Sequence, residues 1–196
     1  VLPGEFIPAL EREGNMSLLD RQVISKAIYY LAQHPKLHKI AINLSAQGFS
    51  DERLLPLIKD KLQQYDVKPN RIIFELTESD SLSNITATKR MVEKLSELGC
   101  AFSIDDFGTG FSTFNYLKQL PAESVKIDGS FVVDLATNPV DFALVKAIYE
   151  VATALGKKTV AEFIENEQTL KILTDIGVTY AQGYYLGKPK PVDELF

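Results

Sequence analysis

Short apolar runs alternate with longer helical stripes along the whole chain, and that alternation is the tightest constraint on its fold. Runs of Val, Ile, Leu and Phe this short suit strands buried on both faces, as in a parallel sheet. Six stretches qualify, at 39–44, 71–77, 100–106, 124–128, 158–162 and 179–182. The spacing predicts a helix over Ser17–Gln33, with Ser17 as its N-cap and an apolar stripe of Leu18, Leu19, Val23, Ala27, Ile28 and Leu31. It predicts another over Asp51–Tyr65, with Pro56 in its second turn, and a third over Thr86–Leu98, stopped by Gly99. A short helix or turn follows over Ser112–Leu120, then helices over Val140–Leu155 and Asn166–Ile176, ended by Gly156 and Gly177. Pro3–Pro8 reads as an extended or turn segment. Strand–helix alternation implies right-handed βαβ units and a parallel sheet. Six strands suit an open doubly wound sheet, whereas a closed barrel takes about eight.

The C-terminal ends of the strands separate these two architectures. They carry Asn43, Glu75, Asp105 with Asp106, Lys126 with Asp128, Glu162 and Gln182 in turn. Each alone has an ordinary explanation as a solvated edge, a surface ion pair or a loop residue. Polar groups on consecutive strand ends are harder to explain separately, and barrels draw catalytic groups from several strand C-termini. An open sheet gathers function mainly at its switch point. The pattern therefore favours a TIM-type (β/α) barrel.

The most informative of these ends is CAFSIDDFGTG at Cys100–Gly110. Adjacent carboxylates repel, and strands tolerate Asp poorly. Something positive must relieve the pair, or Asp106 simply starts a capped turn. The wider donor set of Asn43, Glu75, Asp105, Asp106 and Glu162 is made of hard oxygens, which suit Mg²⁺ or Mn²⁺ rather than zinc. Two such ions about 3.5–4 Å apart form the usual clamp for in-line attack at phosphorus. Lys126 is the only lysine or arginine at a strand end. It is suited to orient a water, to accept its proton, or to stabilise charge at phosphorus. No Gly-Lys-Ser/Thr phosphate loop is present, which argues against triphosphate hydrolysis.

Composition narrows the partners. With 196 residues and 45% hydrophobic content the chain suits one α/β domain with a real core. The net charge is −5 and there is no basic run, so DNA is not an expected partner. Cys100 is the single cysteine, which excludes an internal disulfide framework and a thiolate zinc cluster and fits a reducing compartment. The two histidines, His34 and His38, fall in one connection, so an imidazole metal centre is not expected. No apolar run approaches ~18 residues, so no membrane span is expected in this stretch, and no signal peptide is recognised.

Seven stretches together resemble the EAL-domain family, the cyclic di-GMP phosphodiesterases of bacterial signalling. They are PGEFIPALE at Pro3–Glu11, INLSAQ at Ile42–Gln47, FELTES at Phe74–Ser79, IDDFGTGFS at Ile104–Ser112, VKIDGSFV at Val125–Val132, AEFIE at Ala161–Glu165 and AQGYYLGKP at Ala181–Pro189. The resemblance implies a modified TIM-type barrel spanning 1–196. It implies that Asn43, Glu75, Asp105, Asp106 and Glu162 hold two Mg²⁺ or Mn²⁺ ions. It assigns the attacking water to Lys126, with Glu162, Asp105 and Asp106 also catalytic. Gln182, Gly183, Phe163 and Asp128 fall to substrate, and Glu78 braces the loop over Phe107–Asn115. The implied reaction is hydrolysis of cyclic di-GMP to linear pGpG, with Ca²⁺ supporting binding but inhibiting turnover. A homodimer, a bacterial cytoplasmic location and an attached sensory or cyclase-like domain are also implied, and membrane tethering of a full-length protein is compatible with them.

Two departures from the family pattern stand out. The name-giving Glu-Ala-Leu motif and the first two strands would precede Pro3 and are not in this sequence, so an N-terminally incomplete domain is expected. Phe163 replaces the small glycine of the usual AEGVE, either to stack on a guanine or to fill the barrel mouth. The alternative reading is an inactive receptor that binds cyclic di-GMP and signals to a partner.

Overall fold

The structure is a computed structural model that describes residues 2–77, 85–109 and 114–194. The chain falls into two compact units that divide between Ala101 and Phe102.

The first unit holds α1 (Pro3–Arg12), α2 (Met16–Gln33), β1 (Ile40–Asn43), α3 (Leu54–Tyr65), β2 (Ile72–Thr77) and α4 (Ile85–Leu98). Pro3–Pro8 is thus helical, not extended. Proline at the first helical position forgoes only a donor that has no intrahelical acceptor, and Glu5 adds an acceptor for the Leu2 N–H at 3.1 Å. The start of α2 also corrects the expectation. Asn15, not Ser17, is the capping position, and it makes no side-chain cap bond. Gln47 supplies one instead, because its Oε1 accepts from the Met16 N–H at 3.0 Å. The buried face of α2 comprises Met16, Asp20, Ile24, Ala27, Ile28 and Leu31, whereas Leu18 and Val23 are exposed. β1 and β2 pair in parallel, with Ile42 beside Phe74 and Asn43 beside Glu75. Ile42, Phe74, Leu54, Ile58 and Leu62 enter this unit's core. Pro56 lies in the first turn of α3, where its missing N–H does no harm.

The second unit begins with β3 (Ala101–Phe107, whose first residue closes the first unit) and continues through α5 (Phe114–Gln119), β4 (Ser124–Ile127), α6 (Pro139–Ala154), β5 (Lys158–Ala161), α7 (Glu167–Ile176) and β6 (Tyr180–Ala181). β3 pairs with β4, β4 with β5 and β5 with β6, all in parallel. Strand succeeds helix as the alternation demands. Asn138 and Asn166 cap α6 and α7 through side-chain oxygens that accept from Val140 and Thr169. Gly177 ends α7 in the left-handed conformation. Phe102, Ile104, Val125, Ile127, Ala161 and Ile164 are fully or nearly fully buried between these layers.

One irregularity shapes the site. Ile104 pairs with Val125, but the next pairing is Phe107 with Ile127, so β3 carries an extra residue across that interval. Asp106 sits there with φ of +53°. In a regular strand adjacent side chains face opposite ways, but a bulge with one left-handed residue re-aims them. Asp tolerates that conformation better than most residues.

Candidate metal and phosphate site

Four charged groups of the second unit meet at the ends of β3, β4 and β5. Lys126 Nζ lies 2.9 Å from Asp105 Oδ1 and 2.9 Å from Glu162 Oε1. Asp105, Lys126 and Glu162 are 9%, 6% and 9% exposed, so these are largely desolvated ion pairs. Asp106 joins them through the bulge. Carboxylate oxygens of Asp105, Asp106 and Glu162 all lie within 4.8 Å of one another. Each strand contributes one part of the cluster, which is why its members are far apart in sequence.

The electrostatics follow from crowding. Burial raises the carboxyl pKa of Glu162, and the Lys126 ammonium opposes that shift. Burial also raises Asp106, reinforced by the neighbouring charges of Asp105 and Asp128 and by hydrogen bonding to the Asp128 side chain. Asp128 in turn accepts from the Ser130 N–H at 2.8 Å and so holds the turn after β4. Three carboxylates around one ammonium leave an excess of negative charge. Hard oxygen donors at this spacing fit a divalent cation of the Mg²⁺ or Mn²⁺ type.

Beyond β5 the chain keeps its pairing through single bonds. Gln182 N–H donates to Ala161 C=O at 2.8 Å, and Ile164 N–H donates to Gln182 C=O at 3.1 Å. Gln182 and the residues after Glu162 are thereby fixed against each other. Gly183 lies so close to the Ile164 backbone that a Cβ would collide with it. Phe163 is trapped between these bonds with φ of +55°, a conformation that favours glycine. Its ring lies against Gly129, where any side chain would run into it, yet the residue is 60% exposed.

A cavity of about 590 Å³ opens beside Glu162 and is lined by Phe163, Gln182, Gly183, Tyr184, Lys188 and Lys190, among others. Of the residues singled out in the sequence, the structure therefore clusters Asp105, Asp106, Lys126 and Glu162, with Asp128 against Asp106. It sets Gln182, Gly183 and Phe163 around the adjoining cavity. Asn43 and Glu75 lie beside each other in the first unit, Asn43 exposed and Glu75 half-buried. Glu78 lies outside the described residues, as do 110–113 of the loop. Tyr184, Lys188 and Lys190 were not singled out. Their signal was the aromatic pair and the Lys-Pro-Lys run after Gln182-Gly183, a stretch whose prolines read only as breaking up the tail.

Comparison with known proteins places this geometry. The model of the EAL domain family matches residues 1–189. The cyclic di-GMP phosphodiesterase PdeB of Shewanella oneidensis is 41% identical over 193 residues, which is 97% of this chain and 22% of that protein. A structure described as the PaMucR phosphodiesterase in complex with c-di-GMP superposes with a TM-score of 0.93 at 36% identity, covering 100% of this chain and 81% of that one. The FimX EAL domain from Pseudomonas aeruginosa bound to c-di-GMP gives 0.91 at 33% identity, covering 97% and 77%. The chain spans less than a third of the length of the curated relatives it matches, from 22% to 29% in the first four. The parallel α/β fold is thus the TIM-type fold of those neighbours, and the chain belongs to the EAL domain family.

Proposed function

We propose that this domain hydrolyses one phosphodiester of cyclic di-GMP to give linear pGpG. The observation that carries the reading is the buried set of Asp105, Asp106 and Glu162 around Lys126, in a chain of the EAL family. The relatives' printed activities and the two ligand-bound neighbours support it.

Asp105, Asp106 and Glu162 would hold divalent cations, with Asn43 and Glu75 completing a two-ion set. Bound Mg²⁺ or Mn²⁺ supplies Lewis-acid polarisation of the phosphoryl oxygens and a lowered pKa for water. The protein's own groups do the rest. Lys126, held by two carboxylates, presents an ammonium at the site and would orient the attacking water. The water oxygen forms a new bond to phosphorus as one P–O3′ bond breaks. One water proton ends on the released 3′-hydroxyl, and the phosphate stays on the 5′ side. Gln182 and Gly183 would fix the ligand along the cavity, Asp128 would hold the turn and Asp106 beside it, and the Phe163 ring would face a guanine. Glu78 is assigned to brace the loop after Asp106.

A receptor is the second reading, and one observation favours it. Lys126 already pairs with Asp105 and Glu162, so the protein's own cation offsets part of the charge that a metal would neutralise. Incubation of purified protein with cyclic di-GMP in Mg²⁺ or Mn²⁺ decides between them. Linear pGpG is the expected product, and Ca²⁺ is expected to allow binding with poor turnover. Tight binding without product at any metal concentration would establish the receptor.

A further inference from the structure

The cavity beside Glu162 has a charge pattern that the carboxylate cluster does not explain. Lys188 and Lys190 line it together with Phe163 and Tyr184. Neither lysine has a carboxylate partner among the described residues. Lys188 Nζ instead stands 5.7 Å from the centroid of the Tyr184 ring, which holds its charge over the aromatic wall. Phe163 and Tyr184 are 60% and 65% exposed, an unusual degree for two large rings flanking one cavity. After Arg90 the sequence contains no arginine, so an anion in this unit must be met by lysine. Lys126 is already committed to two carboxylates. Glu165 lines the same cavity and adds a negative charge that the lysines also offset.

We propose that Lys188 and Lys190 bind the second phosphodiester of a cyclic dinucleotide, the one that is not cleaved, while Phe163 and Tyr184 wall the adjoining base. The proposal rests on the phosphodiesterase reading or its receptor variant, since both place the same ligand in this cavity. A cyclic dinucleotide carries two phosphates joined through two nucleosides. With one phosphate at the carboxylate cluster, the other needs a separate cation, and the cavity offers its only unpaired pair among the described lining residues. Lysine suits a phosphate read as a point charge rather than by a bidentate fork.

Equilibrium binding of cyclic di-GMP in Ca²⁺, measured across a salt series, tests this. The Lys188→Gln/Lys190→Gln double variant should weaken binding about 10-fold or more, and the slope of log affinity against log salt should flatten by about 1. The Lys188→Arg/Lys190→Arg variant should restore most of both. Hydrolysis of bis(p-nitrophenyl) phosphate, which has a single phosphodiester, should be the same in wild type and the Gln variant. Wild-type affinity and slope in the Gln variant would overturn the assignment, as would equal loss on the single-phosphate substrate. A wild-type protein that neither binds nor cleaves cyclic di-GMP would instead overturn the underlying reading.

Discussion

The two units treat buried titratable groups in opposite ways. In the first, Cys100 is 5% exposed and carries a thiol that burial pushes up to about 12, so it stays neutral and needs no counter-charge. The strand-end groups of that unit, Asn43 and Glu75, are exposed and half-buried. In the second, Asp105, Lys126 and Glu162 are buried together and satisfy one another at 2.9 Å. A buried charge persists only with a partner, because desolvation costs several kcal/mol per ion. Chemistry and folding stability therefore share side chains in the second unit and are separable in the first.

The largest expected effect is at Lys126. Lys126→Ala leaves Asp105 and Glu162 buried without their cation, and without metal it should lose about 3–5 kcal/mol in urea unfolding. Turnover should fall by orders of magnitude. Asn43→Ala is the counterpart. Its stability should stay within about 0.5 kcal/mol of wild type while turnover drops. Equal destabilisation by the two would break the contrast. Next comes Asp105→Asn, which keeps shape but removes an anionic donor, and turnover should fall about 100-fold or more. Retained turnover there would remove Asp105 from the site.

Much of this was legible in the chain. The strand ends and the Asp pair were visible because each lies within a short stretch whose own pattern announces a strand. The α1 helix was not. Two prolines six residues apart or fewer suggest an extended segment, whereas Pro3 in fact occupies the one helical position that welcomes it. The buried face of α2 was read about one residue out of phase at Val23, because Asp20 is buried and Ser45 donates to its Oδ2 at 2.6 Å. A polar residue satisfied by a distant hydroxyl is invisible to a hydrophobic stripe.

Smaller effects sharpen the comparison. Phe163→Gly should be more stable than Phe163→Ala by about 1 kcal/mol, because alanine keeps the left-handed strain that glycine relieves. Thermal or urea unfolding of the two variants checks this, and equal stability would mean that φ at 163 relaxes. Smallest is the behaviour of Cys100. Its folded pKa lies above the unfolded value of about 9, so its contribution to stability is fully present below pH ~9 and is lost as pH rises toward about 12. At pH 8 the folded thiol should resist a disulfide reagent and react promptly once urea unfolds the chain. Fast native reaction would contradict its burial.

By itself the sequence determined the alternation of strand and helix, the polar strand ends, the adjacent carboxylates and the family motifs. All of these are properties of residues close together in the chain. Tertiary structure alone decided that Asp105 and Asp106 share a site, since the bulge that re-aims them exists only against β4. It also decided that Lys126 stands between Asp105 and Glu162, and that Phe163 adopts a backbone conformation ordinarily left to glycine. The reason is physical. Local propensity acts over about one helical turn, whereas register, burial and ion pairing are set by residues that meet only after the chain has folded.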